Sequence, residues 1–266
     1  MTVRALCRPE RSSEAGNTPR HRPRRGWRRR IAIALLVIAA LTVVAAVVLL
    51  TPSPSDSDVA AAVRADPDVT VTDHDGYLEL APADAADTDQ GLIFYPAARA
   101  RAESYLGSWA PIVESTGITV YLADVPFGFA TLDEGAAGRI IDAEQDVSRR
   151  WIGGHSMGGI TASRYAAAHP DTEFKGLVLW AAFPAEGVEA DNVLAVSGGR
   201  DGIVPTKIVR ERTAPTATLF EIEGMEHSQF GSYSSIFGDG DPTITDDDAR
   251  RQLARVTEDF LLGTGS

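Results

Sequence analysis

The sequence predicts an α/β architecture, a mostly parallel sheet with helices on both faces, preceded by a single N-terminal transmembrane helix. Three observations predict it. From residue 67 onward, short apolar runs bounded by turn residues alternate with stretches at helical spacing. One junction between such elements reads Gly154-His155-Ser156-Met157-Gly158, a Gly-x-Ser-x-Gly turn. Ahead of all this, Ile31 to Leu50 is an unbroken apolar run of 20 residues whose only polar member is Thr42. Hydrophobic residues make up 44% of the chain, enough for a sizeable core.

At a rise of about 1.5 Å per residue, the apolar run reaches across the hydrocarbon of a bilayer. Arg22, Arg24, Arg25, Arg28, Arg29 and Arg30 precede it, whereas Thr51 to Asp58 holds no basic residue. The positive-inside bias therefore makes residues 1–30 a basic cytoplasmic tail and puts everything after residue 50 outside the cytoplasm. The run exceeds the apolar region of a signal peptide, so 31–50 reads as a retained signal-anchor in a single-pass membrane protein. Cleavage would instead leave a secreted domain. Net charge is −12, split between +8 on residues 1–30 and −20 on the remainder. So acidic a remainder argues against nucleic acid as a partner and reads as a solvated surface. The single cysteine, Cys7, rules out an intrachain disulfide.

Residues 51–66, rich in Pro, Ser, Asp and Ala, read as a flexible linker, leaving 67–266 as the catalytic domain. Val69–Val71 and Tyr77–Leu80 alternate across a turn at Asp73–Gly76 and predict a hairpin. Leu92–Tyr95 is short and apolar, as expected of a strand buried on both faces. A helix follows over about 102–115, stopped by Gly117, then a strand at Ile118–Leu122. Ile140, Ile141, Ala143 and Val147 show helical spacing. A helix opens at Ser156 and runs to about His169, where Pro170 stops it. Leu177–Trp180, Val193–Val196 and Leu219–Ile222 are further strands. Leu253, Val256 and Phe260 line one face of a closing helix that Thr245 caps.

In such sheets ligands sit beyond the carboxyl ends of the strands. Ser156 falls there, on a turn that holds its oxygen clear of the backbone, and reads as a nucleophile. It needs a base, and the base needs an orienting acid. Chain order in this architecture is serine, acid, histidine. His169 and His227 lie downstream; His169 suits a helix end, and His227 follows the last strand, where the base belongs. Asp201 follows the preceding strand and reads as the acid. Asp191 precedes that strand, at the wrong end, and no carboxylate follows Trp180 before Glu186. The oxyanion needs two N–H donors. One is expected from Met157; the other from the turn after Leu92–Tyr95, with Ala98 as first choice and Ala97 as second. His155 reads as packing, pointing away from the nucleophile. Glu226 beside His227 is too sparse for a metal site. Asp124–Phe129 suits either an acyl-pocket wall or a packed loop.

Together these features resemble the alpha/beta-hydrolase superfamily. The likeness is closer still to a bacterial group of small, often membrane-anchored hydrolases related to dienelactone hydrolases. It rests on Phe94–Ala97, Gly153–Gly159, Glu223–Tyr233 and Gly238–Gly240, and covers most of residues 67–266. The resemblance implies the alpha/beta-hydrolase fold with nucleophile, acid and base at Ser156, Asp201 and His227. Two departures matter. Ala97 stands where the pattern has glycine, and serine replaces the cysteine of the dienelactone hydrolases proper. The expected activity is hydrolysis of carboxylic esters through an acyl-enzyme, without cofactor or metal, on a small-molecule or lipid-like acyl substrate. The alternatives are an acyltransferase of the cell envelope on the same triad, or a non-catalytic tethered binding module.

Overall fold

The computed structural model describes residues 25–84, 89–188, 192–234 and 236–264. The basic tail through residue 24, with Cys7, and Asp191 lie outside the described residues. The chain divides into two compact units, one ending at Val48 and the other beginning at Leu49.

The first unit contains all but the last two residues of helix α1 (Arg25–Leu50), which begins within the arginine cluster and continues through the apolar run. Its described side chains are all exposed. Among the described residues no helix is long and apolar enough to cross a membrane. In α1 the side chains at positions 45, 46, 48 and 49 lie outside the description, so its unbroken described apolar stretch ends at Val44.

The second unit is built on one sheet. Its strands are β1 (Val69–His74), β2 (Tyr77–Pro82), β3 (Gln90–Tyr95), β4 (Thr119–Ala123), β5 (Arg149–His155), β6 (Leu177–Trp180), β7 (Val193–Gly198) and β8 (Thr218–Ile222). Their order is β1-β2-β4-β3-β5-β6-β7-β8. β2 is antiparallel to β1 and to β4, and every other pairing is parallel. The β1–β2 hairpin therefore sits at one edge. Its register pairs His74 with Tyr77, so the connection is Asp75-Gly76 alone, two residues shorter than expected. Gly76 makes that turn at φ 89°, where a side chain would be strained.

Helices α2 (Ser57–Arg64), α3 (Leu106–Thr116), α4 (Ala136–Ala143), α5 (Met157–Ala168), α6 (Thr206–Arg212) and α7 (Asp246–Leu262) cover both faces. The alternation along β3 shows why two cores form: Leu92 and Phe94 point one way, Ile93 and Tyr95 the other. The first core takes Val63 of α2, Trp109 of α3 and Leu253 of α7, with Trp109 stacked on Trp180 at 4.5 Å. The second takes Ile140 of α4, Ala162 and Tyr165 of α5, and Val209 of α6. After β3 the chain passes to β4 on one side and then to β5 on the other. That reversal leaves a crevice at the carboxyl ends of β3 and β5.

The structure corrects several boundaries. The linker expected over 51–66 instead holds α2, capped by the Asp56 carboxylate and burying Ala60 and Val63. Alanine and valine at i and i+3 lie on one helical face, which outweighs the Pro, Ser and Asp content around them. Val147 lies beyond α4, which ends at Ala143, yet it is buried in the second core from a loop. The helix expected from 102 begins as a 3-10 turn over Ala102–Tyr105. Helix α6 has no apolar periodicity to announce it, since Lys207, Arg210, Glu211 and Arg212 leave it only Val209 to bury.

A docked α2 makes its own prediction. V63D should cost about 2–4 kcal/mol in urea denaturation, because it buries an unpaired charge; in a free linker the same change would be silent.

Candidate active site

β5 ends at His155, and α5 begins at Met157. Between them Ser156 adopts φ 54° and ψ −121°, a conformation that side chains rarely accept. Its N–H donates to Trp180 O at 2.9 Å, and its carbonyl accepts the Gly159 N–H at 3.1 Å. Two glycines make the turn possible. A Cβ on Gly154 would lie 2.4 Å from the carbonyl carbon of Gly158. A Cβ on Gly158 would lie 2.3 Å from Tyr95 O and 2.4 Å from Pro96 O. Strand, helix and the loop after β3 thus meet in contact that no larger residue allows.

Asp201 and His227 are brought together from the loops after β7 and β8. Asp201 Oδ1 accepts the N–H groups of Ile203 and Val204 at 2.8 and 2.6 Å. That leaves Oδ2 to bond His227 Nδ1 at 2.8 Å. Both residues are buried. A carboxylate only accepts, so Nδ1 carries the proton and Nε2 presents a lone pair. Ser156 Oγ makes no hydrogen bond among the described residues. In unliganded sites of this kind, the nucleophile–base contact often tightens only when substrate seats.

Asp239 lies in the loop between β8 and α7. Its Oδ1 accepts the N–H groups of Gly202, His227 and Gly240 at 3.3, 3.0 and 2.9 Å. Its Oδ2 accepts the N–H and the hydroxyl of Ser228, both at 2.9 Å. One carboxylate therefore ties the loop of Asp201 to the loop of His227. Burial by itself would raise its pKa, but the hydrogen bonds from His227, Ser228 and Gly240 outweigh that and hold it below the ordinary aspartate value. The only sequence signal for this residue is its place between Gly238 and Gly240, as in any turn.

His155 does pack, but not away from the chemistry. Its ring centroid lies 4.4 Å from that of His227. Burial, followed by the charge of His227, pushes its pKa well below the ordinary histidine value, so it stays neutral. Its Nδ1 accepts from the Tyr105 hydroxyl at 2.9 Å, with the Tyr233 hydroxyl at 3.3 Å. Its Nε2 is buried with no partner among the described residues.

The same tyrosine distinguishes Ala97 from Ala98. Ala97 N–H donates to Tyr105 Oη at 2.9 Å, which removes Ala97 as a donor to substrate. Among the described residues nothing accepts from the N–H of Ala98 or of Met157. The sequence gives no sign that the Ala97 N–H is taken, because its partner is a tyrosine on a different turn.

The remaining candidates fall elsewhere. His169 is exposed and stacks on Tyr165 at 4.0 Å. Glu226 forms a capping box with Gln229 at the turn that presents His227. Among the described residues His74, Glu79 and Glu144 have the spacing of metal ligands, but His74 is paired with Glu79 at 2.8 Å and Glu144 with Tyr77 at 2.5 Å. In the loop after β4, Val125 and Gly128 are buried while Phe127 is 51% exposed.

The sequence profile described as the alpha/beta hydrolase family matches residues 91–251. The chain belongs to the alpha/beta hydrolase family. No curated protein matches it. Solved structures share its fold at low identity. Alpha/beta hydrolase domain-containing protein 10 from mouse is 12% identical, with a TM-score of 0.51 over 74% of this chain and 99% of that one. Est1E from Butyrivibrio proteoclasticus is 14% identical, with a TM-score of 0.50 over 73% and 99%. Carboxyl esterase 2 from the mycorrhizal fungus Tuber melanosporum is 12% identical, with a TM-score of 0.53 over 79% and 89%. At such identities the likeness speaks for the alpha/beta hydrolase fold alone.

Two outcomes follow for this hydrolase. G158A should lower stability by about 3 kcal/mol, read as a fall in melting temperature, since the methyl meets fixed carbonyls. D239N should cost about 1.5–3 kcal/mol in urea denaturation, because the new NH2 group faces N–H donors. A carboxyl whose folded pKa is lowered stabilises above its unfolded value, and that contribution is lost as pH falls through the lowered value. D239N should therefore remove part of the acid-induced loss of stability that the parent shows.

Proposed function

We propose that this alpha/beta hydrolase is a serine hydrolase acting on carboxylic esters. Ser156 is the nucleophile, His227 the base and then the acid, and Asp201 the orienting carboxylate. The N–H groups of Met157 and Ala98 are the oxyanion donors. The observation that carries the reading is the buried 2.8 Å bond between Asp201 Oδ2 and His227 Nδ1, formed from loops that share a sheet rim with Ser156. Within the family we place the chain beside the dienelactone-hydrolase-related group, on the segments around Ser156, His227 and Asp239, with serine in place of cysteine.

In this reading the triad acts in two half-reactions. His227 Nε2 takes the hydroxyl proton as Ser156 Oγ attacks the acyl carbon. The oxyanion forms at the amino end of α5, where the macrodipole is positive. His227 then gives its proton to the leaving alkoxide, and an acyl-enzyme remains. Water, deprotonated by the same nitrogen, releases the acid. Asp201 holds the tautomer and stabilises the imidazolium. Neutral His155 places no second positive charge against that imidazolium.

We also propose that residues 31–50 anchor the hydrolase in a membrane, with the arginine-rich tail cytoplasmic. The unbroken apolar run and the one-sided arginine cluster support this.

A fluorophosphonate probe should label the parent protein at Ser156, and S156A should lose the label. D201N should retain the fold and lose about 10 000-fold in turnover of a short-chain ester. A parent protein that neither labels nor turns over esters would overturn the assignment.

A further inference from the structure

In the loop after β3 the N–H groups are paired, with one exception. Pro96 has none. The Ala97 N–H donates to Tyr105 Oη at 2.9 Å, the Arg99 N–H to Gly128 O at 2.7 Å and the Ala100 N–H to Ala97 O at 3.1 Å. Among the described residues nothing accepts from the Ala98 N–H. Ala98 is also half-buried, whereas Ala97 and Ala100 are buried. Backbone N–H groups shielded from water are nearly always paired, so one left open beside a nucleophile is a donor in waiting.

Two attachments set where that group lies. The first is the buried Tyr105. Its hydroxyl accepts from Ala97, the residue before Ala98, and donates at 2.9 Å to Nδ1 of His155, the residue before Ser156. One oxygen thus joins the neighbour of the open N–H to the neighbour of the nucleophile. The second attachment is Arg99, the residue after Ala98. Arg99 has φ 63° in a turn closed between Ala97 and Ala100, at the place such turns usually give to glycine. Bonds from outside the turn hold it there. Its carbonyl accepts the Ser53 N–H at 2.7 Å, and its Nε and Nη2 donate to Thr51 O at 3.3 and 3.1 Å. Residues 51–56 form a strap that is itself fixed within the second unit. Ser55 forms an antiparallel bridge with Tyr233, its hydroxyl bonds the Glu103 carboxylate, and the Asp56 N–H donates to Ser232 O at 2.8 Å.

We infer that Tyr105 and Arg99 are positioning residues that hold the Ala98 N–H where the oxyanion forms. The inference rests on the serine-hydrolase reading above. An oxyanion donor contributes only if it already lies where charge develops in the transition state, so a loop free to swing would lose most of its effect. The Met157 N–H is fixed by its place at the start of α5. Ala98 belongs to no helix or strand and has no such support. The Tyr105 hydroxyl on one side and the strap at Arg99 on the other supply it. Tyr105 is buried and the Arg99 guanidinium is bonded to Thr51, so both side chains act through the Ala98 peptide.

The test compares Y105F, R99A and R99K with the parent in the full chain, with folding checked by circular dichroism. Each protein is given a short-chain ester and the matching thionoester, in which sulfur replaces the carbonyl oxygen. Sulfur is a weak hydrogen-bond acceptor, so the ratio of the two turnover rates reports the oxyanion donors. Y105F should lower kcat for the ester by about 10- to 100-fold with little change in KM, and should narrow the ratio by a similar factor. R99A keeps the backbone bonds but loses those to Thr51, and should do the same by about five-fold. R99K keeps a donor for Thr51 and should recover most of that loss. If Y105F does not fold, R99A and R99K decide. A ratio that stays at the parent value in a folded variant overturns the role of the residue changed, even where both turnovers fall together. An unchanged ratio in Y105F with a shifted pH dependence of kcat/KM would assign the hydroxyl to His155 and His227 instead. In each of these cases a fluorophosphonate label on the parent leaves the serine-hydrolase reading standing. A parent that neither labels nor turns over esters overturns both.

Discussion

Around Gly154 and Gly158 three pieces of main chain come within a distance that no Cβ permits. The carbonyls of Tyr95 and Pro96 lie 2.3 and 2.4 Å from where a Gly158 methyl would be. This contact draws the amino end of α5 onto the carboxyl ends of β3 and β5. Ser156 is left on the one residue between strand and helix, at φ 54°, with its hydroxyl beyond the sheet rim. The strain of that residue, about 1–3 kcal/mol, is offset by the packing that surrounds it. The sheet order then matters, because β3 and β5 are neighbours only where the chain reverses direction across the sheet.

Asp201 and His227 depend on a second constraint, which is electrostatic. Loops after β7 and β8 have no regular pairing to hold them, yet Asp201 and His227 on them are buried. Asp239 supplies the missing order by accepting N–H groups from both loops. Asp201 spends one oxygen on its own turn and has one left for the imidazole. Behind the imidazole, Tyr105 links Ala97 to His155, so the β3 loop and the nucleophile strand share a polar contact in an otherwise apolar core. A buried network of this kind is specific because each unpaired member would be costly.

The segment after α1 shows how composition can mislead. Pro, Ser and Asp suggested a free linker. Asp56, however, caps a helix, and Thr51, Ser53 and Ser55 bond the rim of the site. Polar residues next to a surface full of backbone donors and acceptors bond to it as readily as to water. The partners of Thr51, Ser53 and Ser55 are 46 or more residues away in sequence, so no local pattern reveals the docking.

By itself, the sequence determined the layered architecture, the strand-to-helix turn at Ser156 and the chain order that singled out Asp201 and His227. Those features are local: periodicity, glycine spacing and position after a strand are all written in neighbouring residues. Tertiary structure alone decided that Ala97 is taken by Tyr105, that His155 lies against His227, that Asp239 joins two loops, and that residues 51–56 are fastened to the loops of Arg99 and Tyr233. Each of these rests on a hydrogen bond or ring contact between distant segments, and such a partner exists only once the chain has folded.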